Sequence, residues 1–182
     1  MFARRGIGVA LSSLALAGSS LVWAPASAAG GGRGTAAFVC AGKENGSSAP
    51  GLGLLPRPTR IEADARYTCS GGPGRTVSAT GHFVGFSPHA SCLQVNSPTG
   101  REQIRYEDGR TSVIDYTRST AVRLDTVTFV VLDGTVTEGR GKGHSARRTL
   151  ATLATRVPTA DCVLTAPVNH AAGGVQLDVG PA

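Results

Sequence analysis

"GTVTEGRGKGHSARRTLATLATRVP", residues 134–158, is the stretch on which the fold turns. Read as a helix, its second half has a face of Leu150, Leu153, Ala154 and Val157, with Ser145 at the capping position and Pro158 at the stop. Two features oppose that reading. Arg147 and Arg148 would sit in the first turn, against the positive end of the helix dipole. Thr149, Thr152 and Thr155 are β-branched and suit a pleated surface. A strand is therefore expected, and the glycine-rich beginning becomes a hairpin tip.

A phosphate loop is excluded on the same grounds, since it needs a helix N-terminus to complete it. Aligning Gly134 and Gly139 with the glycines of such a loop also puts Arg140 where lysine is required and Gly141 where a hydroxyl is required. What remains is a basic tip carrying Arg140, Lys142, His144, Arg147 and Arg148. These charges either keep a long hairpin soluble or form a contact loop for an anionic surface, a cell-wall polymer or a partner protein, with glycines permitting close approach.

Outward from this hairpin the chain reads as strand after strand. Ile61, Ala63, Ala65, Tyr67 and Cys69 alternate with Glu62, Asp64, Arg66, Thr68 and Ser70, one face buried and one wet. "GGPGR" turns the chain and "TVSATGHFVGF" returns. "REQIRY" and "TSVIDYTRS" flank Asp108-Gly109, a hairpin signal. "TAAFVCA", "SCLQVN", "CVLTA" and "VQLDV" are further short strands. "VRLDTVTFVVLDGTVTE" reads as one apolar strand whose phase changes near Val130, through a bulge or burial on both faces. Residues 42–58 read as a long Gly/Ser/Pro loop. Eight to ten short strands with turns about every ten residues predict an all-β chain, a single antiparallel β-sandwich of Ig-like or Greek-key type.

Arg4 and Arg5, an apolar stretch from Ile7 to Trp23, and Ala26-Ser27-Ala28 after Pro25 make residues 1–28 a signal peptide, cut between Ala28 and Ala29. The general secretory route is the default, the twin-arginine route the alternative. Residues 29–34 are then a flexible tail and 35–182 a single sandwich domain, secreted and extracellular. Without the leader the formal charge is +4 rather than +6, modest for a strongly polyanion-directed protein. Cys40, Cys69, Cys92 and Cys162 are even in number and bound for an oxidising compartment, so two disulfides are expected, Cys40–Cys69 and Cys92–Cys162. Zinc lacks a Cys-x-x-Cys pair or a nearby histidine spacing.

Catalytic signatures are weak. Gly143-His144-Ser145-Ala146-Arg147 departs from a nucleophile elbow at its last position and lacks the strand-to-helix turn. His82, His89, His144 and His170 are scattered. Glu62 with Asp64 and Glu107 with Asp108 offer no glycosidase pattern, although a pair assembled from different strands leaves none. Tyr67, Tyr106, Tyr116, Phe38, Phe83, Phe86 and Phe129 are mostly needed for a core, which leaves few aromatic platforms for sugar. With its leader, four cysteines, "YTC" strand and "GTVTEGR" hairpin, the chain resembles a group of uncharacterised small secreted actinobacterial β-sandwich proteins. That resemblance implies fold and location and supplies no active site. The reading is a disulfide-stabilised extracellular protein acting by surface contact, without catalysis, cofactor, metal, nucleic acid or membrane. Its partner would be an extracellular protein or anionic cell-wall polymer; an extracellular hydrolase with loop-borne residues and a secreted protease inhibitor are the alternatives.

Overall fold

The computed structural model describes residues 37–72, 74–91, 95–96, 98–124, 127–153 and 168–181. The expected signal peptide with its Ala28/Ala29 cleavage site, the expected tail at 29–34, the expected Cys92–Cys162 pairing and the strand expected at "CVLTA" all lie outside these residues. The strands are β1 (Phe38–Leu52), β2 (Arg57–Gly72), β3 (Arg75–Ala90), β4 (Val95–Asn96), β5 (Thr99–Tyr106), β6 (Thr111–Leu124), β7 (Val127–Gly139), β8 (Ser145–Leu153) and β9 (Val168–Gly180).

Every pairing is antiparallel. The order β2-β1-β9-β8-β7-β6-β5-β3 is closed by the pairing of β2 with β3 into an eight-stranded barrel, with β4 a two-residue addition to β3. This corrects the sandwich expectation. Sandwich and barrel share the same alternation and turn spacing; they differ in whether the outermost strands meet. Here Phe38 to Ser47 on β1 pair with Val179 to His170 on β9, which removes the edges that a sandwich would expose.

Two local readings fall with it. The supposed loop at 42–58 is mostly strand, because β1 is held on both sides, by β2 and by β9, through its Gly/Ser-rich half. Pairing on two flanks overrides weak strand composition. The supposed single strand at "VRLDTVTFVVLDGTVTE" is divided between β6 and β7, with Leu124 opposite Val127. Register irregularities in this pair fall at Val113/Ile114 and Tyr116/Arg118, opposite residues 133–138 of β7, and not near Val130, which pairs in regular register with Ala121.

The expected strand after "GRGKGHS" is β8, and the tip is a hairpin whose Gly139, Gly141 and Gly143 have φ of 78°, 81° and 84°. Those angles suit glycine and no bulky residue. At this end of the barrel, inward side chains fill the interior: Phe38, Cys40, Ile104, Tyr106, Leu177 and Val179 are between 0 and 3% exposed. Phe38 and Tyr106 meet edge to face, ring centroids 6.1 Å apart.

A disulfide joins Cys40 to Cys69, as expected, across directly opposed positions of β1 and β2, with Cα atoms 3.9 Å apart and both residues fully buried. Its loop spans a sequence separation of 29. Replacing both cysteines by alanine is expected to lower unfolding free energy by about 3–4 kcal/mol, the chain-entropy value for a loop of that length. Equilibrium denaturation in urea checks this; a loss below about 1 kcal/mol would contradict it.

Candidate functional site

Strand alternation places charged residues in the barrel interior. On β1 the inward series Phe38, Cys40, Gly42 continues to Glu44; on β5, Gly100, Ile104 and Tyr106 share their face with Glu102; on β8, Ala146 and Leu150 share theirs with Arg148. The side chains of Glu44, Glu102 and Arg148 are 5%, 0% and 3% exposed. Burying single charges this deeply is costly unless they meet partners.

They meet each other. Arg148 Nη2 donates to Glu44 Oε2, and Arg148 Nε lies 3.4 Å from Glu102 Oε2 without hydrogen-bond geometry. Glu102 accepts two further bonds, from Tyr67 Oη at 2.8 Å and Tyr116 Oη at 2.7 Å. The guanidinium lies over the Phe83 ring, 5.0 Å from its centroid. Gly81 makes room for this convergence: a Cβ there would stand 2.6 Å from Glu102 Oε1 and 2.8 Å from the Tyr67 ring.

Two carboxylates share one guanidinium. Burial pushes the Glu44 carboxyl above its ordinary value; Arg148 opposes this and Glu102 reinforces it. Burial opposes the charge on Arg148, but Glu102 and Glu44 outweigh it and hold the guanidinium protonated. Burial, then the charge of Glu102, raises the phenols of Tyr67 and Tyr116.

Beyond Glu44 the interior changes character. The Phe83 ring points along the barrel against Gly85 and Gly100, whose added Cβ atoms would lie 2.5 and 2.6 Å from its Cζ. Inward positions farther on are mixed: Gly46, Ile61, Gly100, Val130, Leu150 and Gly173 are partly exposed, whereas Gly85, Thr59 and Ser87, on the facing stretches of β2 and β3, are buried. The half beyond Glu44 thus has glycine and aliphatic residues on most strands, the buried hydroxyl residues Thr59 and Ser87 on β2 and β3, and Phe83, Arg148 and Glu44 at its base.

The five residues of the expected contact loop do not act as one surface. Arg148 is inside the barrel, which corrects its reading as an exposed charge. Arg140 folds over the filled end, its guanidinium 4.3 Å from the Phe38 ring centroid and 4.9 Å from that of Tyr106, with Nη2 donating to the Ser70 carbonyl at 2.7 Å. Arg147 pairs with Asp133 at 2.8 Å. His144 is half-buried and Lys142 exposed. The tip lies down on the barrel; of residues 43–58, the other stretch that could present an inhibitor loop, 43–52 and 57–58 belong to β1 and β2, which leaves 53–56 as the connection, with Leu54 and Leu55 exposed.

Among the histidines, His82 is on the outer face with Nδ1 2.8 Å from Asp64 Oδ1, and His89 and His170 are exposed. Among the described residues no group of three or more His, Cys, Asp or Glu side chains is placed to hold a metal. Glu44, Glu102 and the inward role of Arg148 were missed by sequence reasoning. The available signal was the strand period itself, which puts each of them on an apolar face. No family model, curated protein or solved structure matches the chain, and the site is therefore read from its own chemistry.

Replacing Arg148 by alanine is expected to cost about 3–5 kcal/mol, because it leaves Glu102 buried without its cation. Arg147→Ala, one residue away on the outer face, is expected to cost less than about 1 kcal/mol. Denaturation midpoints of the two variants check this; equal losses would contradict the inward placement of Arg148.

Proposed function

We propose that this is a secreted, extracellular binding protein that takes a small molecule into the barrel half beyond Glu44 and holds it by contact, without catalysis. The supporting observation is the contrast between the two halves of the interior, one filled with large side chains and the other lined mainly by small and aliphatic residues, six of them partly exposed, above a polar floor. Eight-stranded barrels are of a width that either fills with side chains or holds one small ligand. The ligand class is a largely apolar molecule with one hydrogen-bonding end, directed at the Glu44 carboxyl and the Arg148 guanidinium. The leader-like N-terminus and the Cys40–Cys69 disulfide support the extracellular setting.

A second reading, an extracellular hydrolase, is favoured by the convergence of Glu44 and Glu102 from different strands. A carboxyl whose pKa is raised by burial is suited to general acid catalysis. Glu44→Gln separates the two readings, since it would preserve apolar binding and abolish turnover that depends on an acid.

The binding proposal is tested with the apolar dye 8-anilinonaphthalene-1-sulfonate and the variant Gly46→Phe. A Cβ at Gly46 would come no closer than 3.4 Å to any neighbour, so the ring enters the open half without displacing backbone. The wild type is expected to bind one dye per chain, and the variant to bind at least about tenfold more weakly, a loss of about 1.4 kcal/mol, while keeping its unfolding midpoint. Equal dye binding by the two folded proteins would overturn the proposal.

A further inference from the structure

The outer surface carries a charge arrangement that the fold does not explain. Lys43 on β1 is directly opposite Arg66 on β2; Arg66 is opposite Thr80 on β3; Thr80 is opposite Arg105 on β5. All four are exposed. Adjacent strands lie about 4.8 Å apart, so three cations fall within roughly 15 Å along one hydrogen-bonding line. Like charges directly opposite each other destabilise a sheet, and among the described residues none of these cations has an ion-pair partner.

Elsewhere on the barrel, four exposed arginines are matched, and the two among the described residues that are not, Arg75 and Arg118, stand apart on β3 and β6. Arg60 pairs with Glu62, Arg101 with Asp115, Arg110 with Asp108 and Arg147 with Asp133. The acids nearest the line make no ion pair with its cations: Asp64, two residues from Arg66 on the same face of β2, is bonded to His82, and Glu107 is beyond Arg105, in the turn between β5 and β6. Thr68 and Ser78, opposite each other one step along the same outer face, add hydroxyl donors beside the cations. On the other side of Lys43 is Gly174, with no side chain to screen it.

We infer that the line Lys43–Arg66–Thr80–Arg105 is a docking surface for an extended anionic polysaccharide, whose repeated acidic groups would lie across the strands. The charge supplies attraction and the hydroxyls accommodate sugar oxygens. A single-stranded nucleic acid fits less well, because the line has no aromatic side chain on which bases would stack. The surface is outside the barrel and independent of the interior site.

The test uses the purified protein and heparin as the probe. The wild type is expected to bind, with affinity falling about 20-fold between 50 and 200 mM salt if three charges are neutralised at roughly 0.7 counterions each. The triple variant Lys43→Ser, Arg66→Ser, Arg105→Ser is expected to lose binding at least tenfold. A control, Arg75→Ser, Arg118→Ser, Lys142→Ser, removes the same net charge from exposed positions off the line and is expected to retain binding within about threefold. Equal losses in the two variants would reduce the effect to net charge and overturn the assignment. A single-stranded oligonucleotide of matched charge that binds more tightly than heparin would overturn the polysaccharide class. Absence of heparin binding by the wild type at low salt would overturn the surface itself.

Discussion

A guanidinium inside a closed barrel has to be neutralised where it stands, and the interior of this protein is arranged around that requirement. Arg148 enters from β8 and meets Glu44 from β1 and Glu102 from β5, and the carboxylate of Glu102 is also bonded by Tyr67 from β2 and Tyr116 from β6. Five strands are thereby tied at one level by bonds that work only in one register. A one-residue slip of any of them would turn its polar group outward and leave the others unpaired. Such a cluster adds little net stability compared with a well-packed apolar core, but it penalises wrong strand pairings heavily.

The cluster also divides the barrel. On one side the disulfide, the Phe38–Tyr106 contact and the folded-down Arg140 close the interior. On the other, glycine and aliphatic positions on β1, β5, β7, β8 and β9 are partly exposed, while Gly85, Thr59 and Ser87 on β2 and β3 are buried. A barrel with one filled end and one open end, separated by a polar floor, is the geometry from which the binding proposal follows. The outer wall contributes separately, since four of its exposed arginines are paired with acids and one transverse line of cations is not.

Much of this was legible in the sequence, but unevenly. The alternation from Ile61 to Cys69, the Asp108-Gly109 turn and the hairpin reading of "GRGKGHS" follow from local chemistry, and all three appear in the structure. Barrel closure does not, because it depends on Phe38 to Ser47 meeting β9 more than a hundred residues later, and no local pattern distinguishes that from a sandwich. The Gly/Ser-rich half of β1 was hidden for a related reason: its strand conformation comes from two flanking partners rather than from its own side chains. Arg148 was misread because a basic residue in a basic hairpin looks solvated. Only the strand period, which sets Arg148 on the face of Ala146 and Leu150 and Arg147 on the other, contains the correct answer, and the same period applies to Glu44 and Glu102.

The protein has three tyrosines, and all three are inside the barrel, with Tyr67, Tyr106 and Tyr116 at most 3% exposed. Burial raises all three phenols above their ordinary value of 10.0, and the charge of Glu102 adds to the effect. A group with a raised pKa in the folded state stabilises the fold below its ordinary value and ceases to do so as pH climbs through the folded one. Alkaline titration followed by ultraviolet absorbance, with circular dichroism recorded in parallel, therefore measures the dryness and integrity of the ion cluster without labels or mutations. The expected result is no phenolate signal as pH passes 10 in the folded protein, followed by ionisation of all three tyrosines together with loss of the fold. Phenols ionising near pH 10 while the circular dichroism of the folded barrel persists would contradict a sealed interior built around Arg148 and Glu102.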